Sequence, residues 1–305
     1  MDFRNLDALV SDSIANESKR MIDRVGVVGG GIMGAGIAEV CARAGLDVLL
    51  HDVEPERARS SRDRVEASLR RAAERGKLTD GDVDDALRGL RHTADLQDLY
   101  DRDLVIEAIV EDEQAKLEVF AKLDSIVESP DAILASNTSS IPIMKLAMAT
   151  SRRDRVLGLH FFNPVPVLSL VELIPSLLTS AETAQRARDF AAQRLGKHVI
   201  ESQDRAGFVV NALLIPYLLS AIRMLESGFA TAEDIDAGMV RGANHPMGPL
   251  ALADLIGLDT TLAVAASLYE EFKEPLFAAP PLLSRMVDAG LLGRKTRRGF
   301  YDYDA

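Results

Sequence analysis

A single cysteine, no long apolar run and a deficit of basic side chains set the first limits on this 305-residue sequence. Cys41 has no partner for an internal disulfide and cannot belong to a cysteine metal cluster. It is expected to be a small apolar residue facing the core, in a chain suited to a reducing cytoplasm. No stretch approaches the roughly 18 uninterrupted apolar residues of a membrane helix. Lys and Arg number 35 against 47 Asp and Glu, a net charge of −12 that on average repels nucleic acid and anionic membrane alike. No two of the five histidines stand at metal-ligand spacing, so no metal is expected. Residues 1–20 lack the apolar centre of a secretory signal; they are read as a flexible extension outside the fold, with Met21 as a second candidate start.

Apolar residues make up 47% of the chain and charged residues 27%, the balance of a soluble globular protein with room for one large or two ordinary domains. The stretch from Arg24 to Asp52 organises the rest. An apolar run over residues 25–28 stops at Gly29-Gly30-Gly31-Ile32-Met33-Gly34. A helix-period segment with Ile37, Val40, Cys41 and Ala44 follows, and Gly45 leads to a second apolar run closed by Asp52. Strand, glycine turn, helix, strand and acid are, in that order, the parts of a dinucleotide site. Gly29 allows the tight turn, Gly31 the approach of a pyrophosphate, and Gly34 close packing of helix on strand. The helix start, with Ile32 and Met33 in its first turn, directs unpaired N–H groups and the positive end of its dipole at phosphate. Asp52 would accept hydrogen bonds from a ribose diol and repel a 2′-phosphate, which favours NAD over NADP.

Residues 55–77 read as a long charged helix with Arg64, Ser68, Arg71 and Arg75 on one face. A solvated face and a docking surface for a polyanion explain it equally well. Residues 79–90 form a second expected helix, capped by Thr79. A buried strand over 104–110 ends at Glu111, which opens a helix running to about residue 127, and a strand over 132–135 ends in Ser136-Asn137-Thr138-Ser139-Ser140. Strands alternating with helices predict a Rossmann-type, doubly wound and mostly parallel sheet that binds ligands at the carboxyl ends of its strands, where Glu111 and Ser139 fall.

Apolar runs over 156–162 and 168–174 flank Asn163-Pro164-Val165-Pro166, a connection suited to an antiparallel hairpin. A helix over 181–195 and a short strand over 198–200 follow. Beyond that helices are expected over 207–228, 231–241, 250–272 and 281–289, with no strand signal until the Phe300-Tyr301-Asp302-Tyr303 tail. The chain therefore reads as a nucleotide-binding domain over 21–205 and an all-helical domain over 206–305. Val209, Leu213, Leu214, Tyr217, Leu218, Ile222 and Leu225 exceed a single helix stripe, so part of that surface is expected to face another subunit.

If hydride is to leave an alcohol carbon, a group must take the hydroxyl proton. His160 ends a predicted strand beside a polar turn, and Glu172 lies in the second arm of the same hairpin. Folding the arms together can place them side by side, with the carboxylate orienting the ring and stabilising the imidazolium. A hydrogen-bonded core histidine beside a surface glutamate fits the spacing equally well. His51, His92, His198 and His245 are read as structural or surface residues.

The glycine loop with Asp52, Leu104-Val105-Ile106-Glu107-Ala108, Ala135-Ser136-Asn137-Thr138-Ser139-Ser140, Leu159-His160-Phe161-Phe162-Asn163-Pro164, Gly207-Phe208-Val209-Val210-Asn211, His245-Pro246-Met247-Gly248-Pro249, and Leu292-Gly293-Arg294-Lys295 with Gly299-Phe300-Tyr301 occur in one order. That order resembles the 3-hydroxyacyl-CoA dehydrogenases, most closely the single-function bacterial enzymes acting on 3-hydroxybutyryl-CoA. The resemblance implies His160 as general base, Glu172 as its partner, and Ser139 and Asn211 as holders of the reacting oxygen. It implies NAD contacts at Glu111, Lys116, Ser139, Asn163 and Lys295, beside the glycine loop and Asp52. It also implies coenzyme A contacts at Ser68, Arg75 and Ser139, which turns the basic helix toward the docking reading. A homodimer formed through the helical domain and a place in fatty acid metabolism belong to the same expectation.

Three features depart from the family pattern: Gly30 in place of the commoner alanine, expected to be sterically harmless; the Arg297-Arg298 pair near Lys295; and residues 1–20, which have no counterpart. The competing functions are a dehydrogenase of a small free hydroxy acid on the same fold and a dinucleotide-binding structural protein without turnover.

Overall fold

In the first unit the apolar runs become strands buried on both faces. The computed structural model describes residues 21–304, so the reading of residues 1–20 lies outside the described residues. The chain divides into two units between Asp204 and Arg205. The first opens with β1 (Arg24–Val28), α1 (Ile32–Arg43), β2 (Asp47–His51) and α2 (Pro55–Glu74). It continues with α3 (Asp80–Gly89), β3 (Leu90–Thr93), β4 (Leu104–Glu107), α4 (Glu113–Ile126) and β5 (Ile133–Ser136). It closes with α5 (Ile143–Met148), β6 (Val156–Phe161), β7 (Leu170–Pro175), α6 (Ala181–Asp189) and β8 (His198–Glu201).

The eight strands lie in the order β3-β2-β1-β4-β5-β6-β7-β8. The first six are parallel in the doubly wound 3-2-1-4-5-6 order, and β7 turns back antiparallel on β6, carrying the parallel β8 with it. The expected fold class is the observed one. The order reverses at β1, between β2 and β4, so the crevice for a ligand opens above the glycine turn.

Four local readings need correction. The helix expected over 79–90 ends at Gly89, and β3 follows it where the pattern predicts no strand; only Leu90 of Leu-Arg-His-Thr is fully buried in this edge strand, so no apolar alternation betrays it. β4 stops at Glu107 rather than residue 110, because the Glu107 carboxylate accepts the Ile109 N–H at 2.7 Å and turns the chain. The helix after it starts at Glu113, capped by Asp112 accepting from the Ala115 N–H at 2.8 Å, which leaves Glu111 in the turn. The helix over 181–195 is α-helical to Asp189 and continues as a π turn, Phe190–Arg194. Thr79 does cap α3, in a reciprocal capping box with Asp82. Cys41 faces the core, fully buried, with its thiol pushed up to about 12 by that burial.

The second unit contains α7 (Val210–Glu226), α8 (Ala232–Gly242), α9 (Pro249–Ile256), α10 (Leu258–Phe272) and α11 (Pro281–Asp288). The single helix expected over 250–272 is two, bent by 96° at Gly257, whose φ of +104° no helix accommodates. Two buried carboxylates tie the unit together. Asp236 accepts from the N–H groups of Leu250 and Ala251, and Asp254 accepts from those of Phe300 and Tyr301 and from the Tyr303 hydroxyl. The tail after Gly293 thereby packs on α9, forming isolated bridges and no regular strand. No single helix among the described residues is long and apolar enough to cross a membrane.

Candidate active site

At the reversal of the sheet, each glycine of the loop meets a different constraint. Gly29 has φ +102°, and a Cβ there would lie 2.5 Å from the Ala108 carbonyl oxygen on the neighbouring strand's exit. At Gly34 a Cβ would lie 1.7 Å from the Gly29 carbonyl oxygen, so the helix packs on the turn itself. A Cβ at Gly31 would meet nothing within 4 Å. The bare backbone there is useful only to something arriving from outside. Gly31 also caps α1 without a side-chain hydrogen bond, which leaves first-turn N–H groups for an anion. Asp52 is held in place from two sides, its Oδ2 accepting the Gly30 N–H at 3.0 Å and its Oδ1 the Val53 N–H at 2.8 Å. These features fit a dinucleotide with its ribose against Asp52 and its pyrophosphate against Gly31, between the largely exposed Ile32, Val53 and Val110.

Gly30, where the family more often has alanine, is in close contact with α2. A Cβ at Gly30 would lie 1.8 Å from Ser61 Oγ and 2.4 Å from Ser61 Cβ, so α2 sits directly on the loop. Arg64, one turn further on, donates to the Gly30 carbonyl at 3.0 Å. Ser68 is half-buried and, with Arg43 and Arg71, draws down the Glu39 carboxyl, which burial more than offsets to leave it above its ordinary range. Arg71 and Arg75 are exposed, Arg75 standing just past the helix end.

The carboxyl ends of β4 and β5 carry a charged network. Glu107, fully buried, accepts from Lys116 Nζ at 2.6 Å, Ser136 Oγ at 2.6 Å and the Ile109 N–H. Lys116 is only 1% exposed and reaches Glu111 at 3.2 Å. Glu111 in turn accepts from Thr138 Oγ1, the Ser139 N–H at 2.9 Å and Ser140 Oγ at 3.1 Å. Burial alone would raise the Glu111 carboxyl, but Lys116, Thr138 and the Ser139 N–H outweigh it and hold it below the ordinary carboxylate range. Its contribution to stability is therefore present above that range and is lost as pH falls through the depressed value. Lys116 thus stands behind Glu111 as a buried counter-charge, and Ser139 is fixed by Glu111 through its own backbone.

One strand further, the hairpin register places His160 directly opposite Glu172, and the two side chains meet with Nδ1 and Oε2 2.7 Å apart. Both are buried, Glu172 completely, so it is no surface glutamate. The Phe162 ring lies 4.6 Å from the imidazole, and the Phe161 N–H donates to Asn137 Oδ1 at 2.8 Å, joining the end of β6 to the Ser139 loop. Asn163 is exposed in the connection, where its bond to Pro164 is cis. From beneath, the buried Lys197 donates to the carbonyls of Val165 and Leu168 at 2.6 and 2.7 Å and clamps that connection.

Asn211 and Lys295 belong to the second unit. Asn211 is half-buried in the first turn of α7. Lys295 is exposed, ion-paired with Asp259. Sequence reasoning missed the structural work of Glu107, Lys197 and Ser61. An acid inside the apolar run 104–108 is a signal for the first; the other two carry none.

The family model described as "3-hydroxyacyl-CoA dehydrogenase, NAD binding domain" matches residues 24–205, and "3-hydroxyacyl-CoA dehydrogenase, C-terminal domain" matches residues 207–303. A 3-hydroxybutyryl-CoA dehydrogenase of Mycobacterium tuberculosis is 60% identical over 282 residues, spanning 92% of this chain and 99% of that protein. The crystal structure of FadB2 from M. tuberculosis superposes with a TM-score of 0.92 at 59% identity, over 93% of this chain and 99% of the other. That of an (S)-3-hydroxybutyryl-CoA dehydrogenase from Ralstonia eutropha gives 0.88 at 47%, over 92% and 99%.

Proposed function

The chain belongs to the 3-hydroxyacyl-CoA dehydrogenase family, and from that premise we propose that it interconverts (S)-3-hydroxybutyryl-CoA and acetoacetyl-CoA with NAD(H). The His160–Glu172 pair, at the carboxyl end of β6 as the dinucleotide loop is at the carboxyl end of β1, carries the reading. NAD, when bound, supplies the hydride acceptor. The Glu172 carboxylate accepts the Nδ1 proton of His160, which fixes the tautomer and leaves Nε2 to take the proton of the 3-hydroxyl as hydride leaves C3. In the reverse direction the same nitrogen returns it. Ser139, oriented by Glu111, holds the reacting oxygen; Asp52 reads the adenosine ribose; Asn163 contacts the cofactor. Arg75 and Ser68 contact coenzyme A, a polyanion matched to the exposed basic end of α2.

Following NADH consumption with acetoacetyl-CoA and with free acetoacetate tests the substrate class. The thioester should be turned over and the free acid ignored, and Arg75→Glu should raise KM for the thioester while leaving the affinity for NADH nearly unchanged. Preference for the free acid would transfer the chain to the small-hydroxy-acid reading.

The dimer and the cytoplasmic location belong to the same proposal. Leu213 is 72% exposed on α7 and Phe229 79% exposed just after it, more apolar surface than a solvated helix carries. Light scattering should give twice the chain mass, and Leu213→Asp with Phe229→Asp should give a monomer. A monomeric wild type would contradict this.

A further inference from the structure

Gly30 is held from two sides by groups of opposite charge. Asp52 accepts its N–H, and Arg64 donates to its carbonyl, each at 3.0 Å. Ser61, three residues before Arg64, packs against the same glycine closely enough to exclude a Cβ. The guanidinium is therefore tethered to the same loop residue whose N–H the ribose-facing acid accepts. It is not there to neutralise that acid. Among the described residues neither Arg64 nor Asp52 forms an ion pair, whereas Arg57, Arg62 and Arg70 on the same helix pair with Glu54 or Glu66. A guanidinium has five N–H donors, and one bond to a neutral carbonyl leaves its charge and most of its donors available. A planar cation so placed matches a phosphate monoester.

Two phosphate monoesters on adenosine come into question: the 2′-phosphate of NADP(H) and the 3′-phosphate of coenzyme A. Arg64 and Arg75 lie 11 residues apart in α2 and its cap, a rise of about 16 Å at roughly 1.5 Å per residue, so the two stand at separate points along the helix. Its anchor on the glycine loop assigns Arg64 to the dinucleotide.

We propose that Arg64 is a specificity-determining residue that admits a 2′-phosphate beside Asp52, making NADPH a second, weaker cofactor of this enzyme. The proposal rests on the reading of the glycine loop as the NAD(H) site. Asp52 sets the direction of the preference by repelling the added dianion; Arg64 limits its size by offsetting that repulsion. An acid alone would exclude NADPH.

The test is a titration of the full-length protein with NADH and with NADPH, following nicotinamide fluorescence, alongside KM for acetoacetyl-CoA. Arg64→Ala should weaken NADPH binding about tenfold or more, the scale of one lost charge-assisted contact, and NADH binding about twofold at most. Arg64→Lys, which keeps the charge, should recover part of the NADPH affinity, and KM for acetoacetyl-CoA should stay unchanged throughout. Equal losses for both dinucleotides would reduce Arg64 to a support of the loop. A selective rise in KM for acetoacetyl-CoA would move it to the coenzyme A site. Wild-type binding of NADPH no tighter than that of Arg64→Ala would also overturn the proposal. A wild type that binds neither dinucleotide would refute the cofactor reading itself.

Discussion

Replacing His160 by Gln should lower kcat for oxidation of (S)-3-hydroxybutyryl-CoA by about 10²–10⁴-fold, the usual worth of a positioned general base. Affinity for NADH should survive, because Asp52 is fixed by the Gly30 and Val53 N–H groups, within the glycine loop and its own turn. The size of the effect follows from how the ring is held. Antiparallel pairing sets His160 opposite Glu172, the carboxylate lies 2.7 Å from Nδ1, and Phe162 packs on the ring. Glutamine can imitate the shape of the imidazole and one of its hydrogen bonds, yet it takes up no proton near neutrality. Steady-state rates with saturating coenzyme, together with a fluorescence titration of NADH, separate the two effects. A loss confined to KM would show that His160 only binds substrate.

The largest effect on stability should come from Glu107. Removing one partner of a buried ion pair strands the other charge, at a cost of about 3–5 kcal/mol. In Glu107→Ala the stranded group is Lys116, 1% exposed, and Ser136 and the Ile109 N–H lose their acceptor as well. Glu111, 3.2 Å from Lys116, offers partial compensation, so the lower end of that range is the expectation. Replacing both partners by apolar residues, Glu107→Leu with Lys116→Met, should recover only part of the loss, since it removes the stranded ammonium but also takes the counter-charge from Glu111. Urea unfolding followed by circular dichroism reads both. An unchanged midpoint for Glu107→Ala would mean that the network does not hold the ends of β4 and β5.

These two residues also show what the sequence discloses and what it hides. The strand–glycine–helix–strand–acid order is a local pattern, each part a few residues from the next, and it is legible from Gly29 to Asp52. The His160–Glu172 pair is legible only as a possibility, because a slip of one residue in the hairpin would send the two side chains to opposite faces. The β6–β7 register resolves it. Glu107 and Lys116 form a pair that only the packing of α4 against the end of β4 reveals. Leu90 to Thr93 make a strand because β2 lends them hydrogen bonds, whatever their own pattern suggests. The close contact at Gly30 is hidden in sequence because its neighbour, Ser61, is 31 residues away and touches it only in the fold. The break at Gly257 is visible as a glycine and invisible as a bend, since glycine within a helical pattern is as often tolerated as not.

The central claim is that His160 and Glu172 act as one proton-handling unit in the oxidation of a 3-hydroxyacyl-CoA. The measurement that meets it most directly is the initial rate of NADH formation from (S)-3-hydroxybutyryl-CoA for the wild type, His160→Gln, Glu172→Gln and the double variant. If the carboxylate works only through the imidazole, the double variant should be little slower than the slower single one, as strongly coupled catalytic residues are. If the two losses instead multiply, each residue acts on its own and the claim of a single proton-handling unit is wrong.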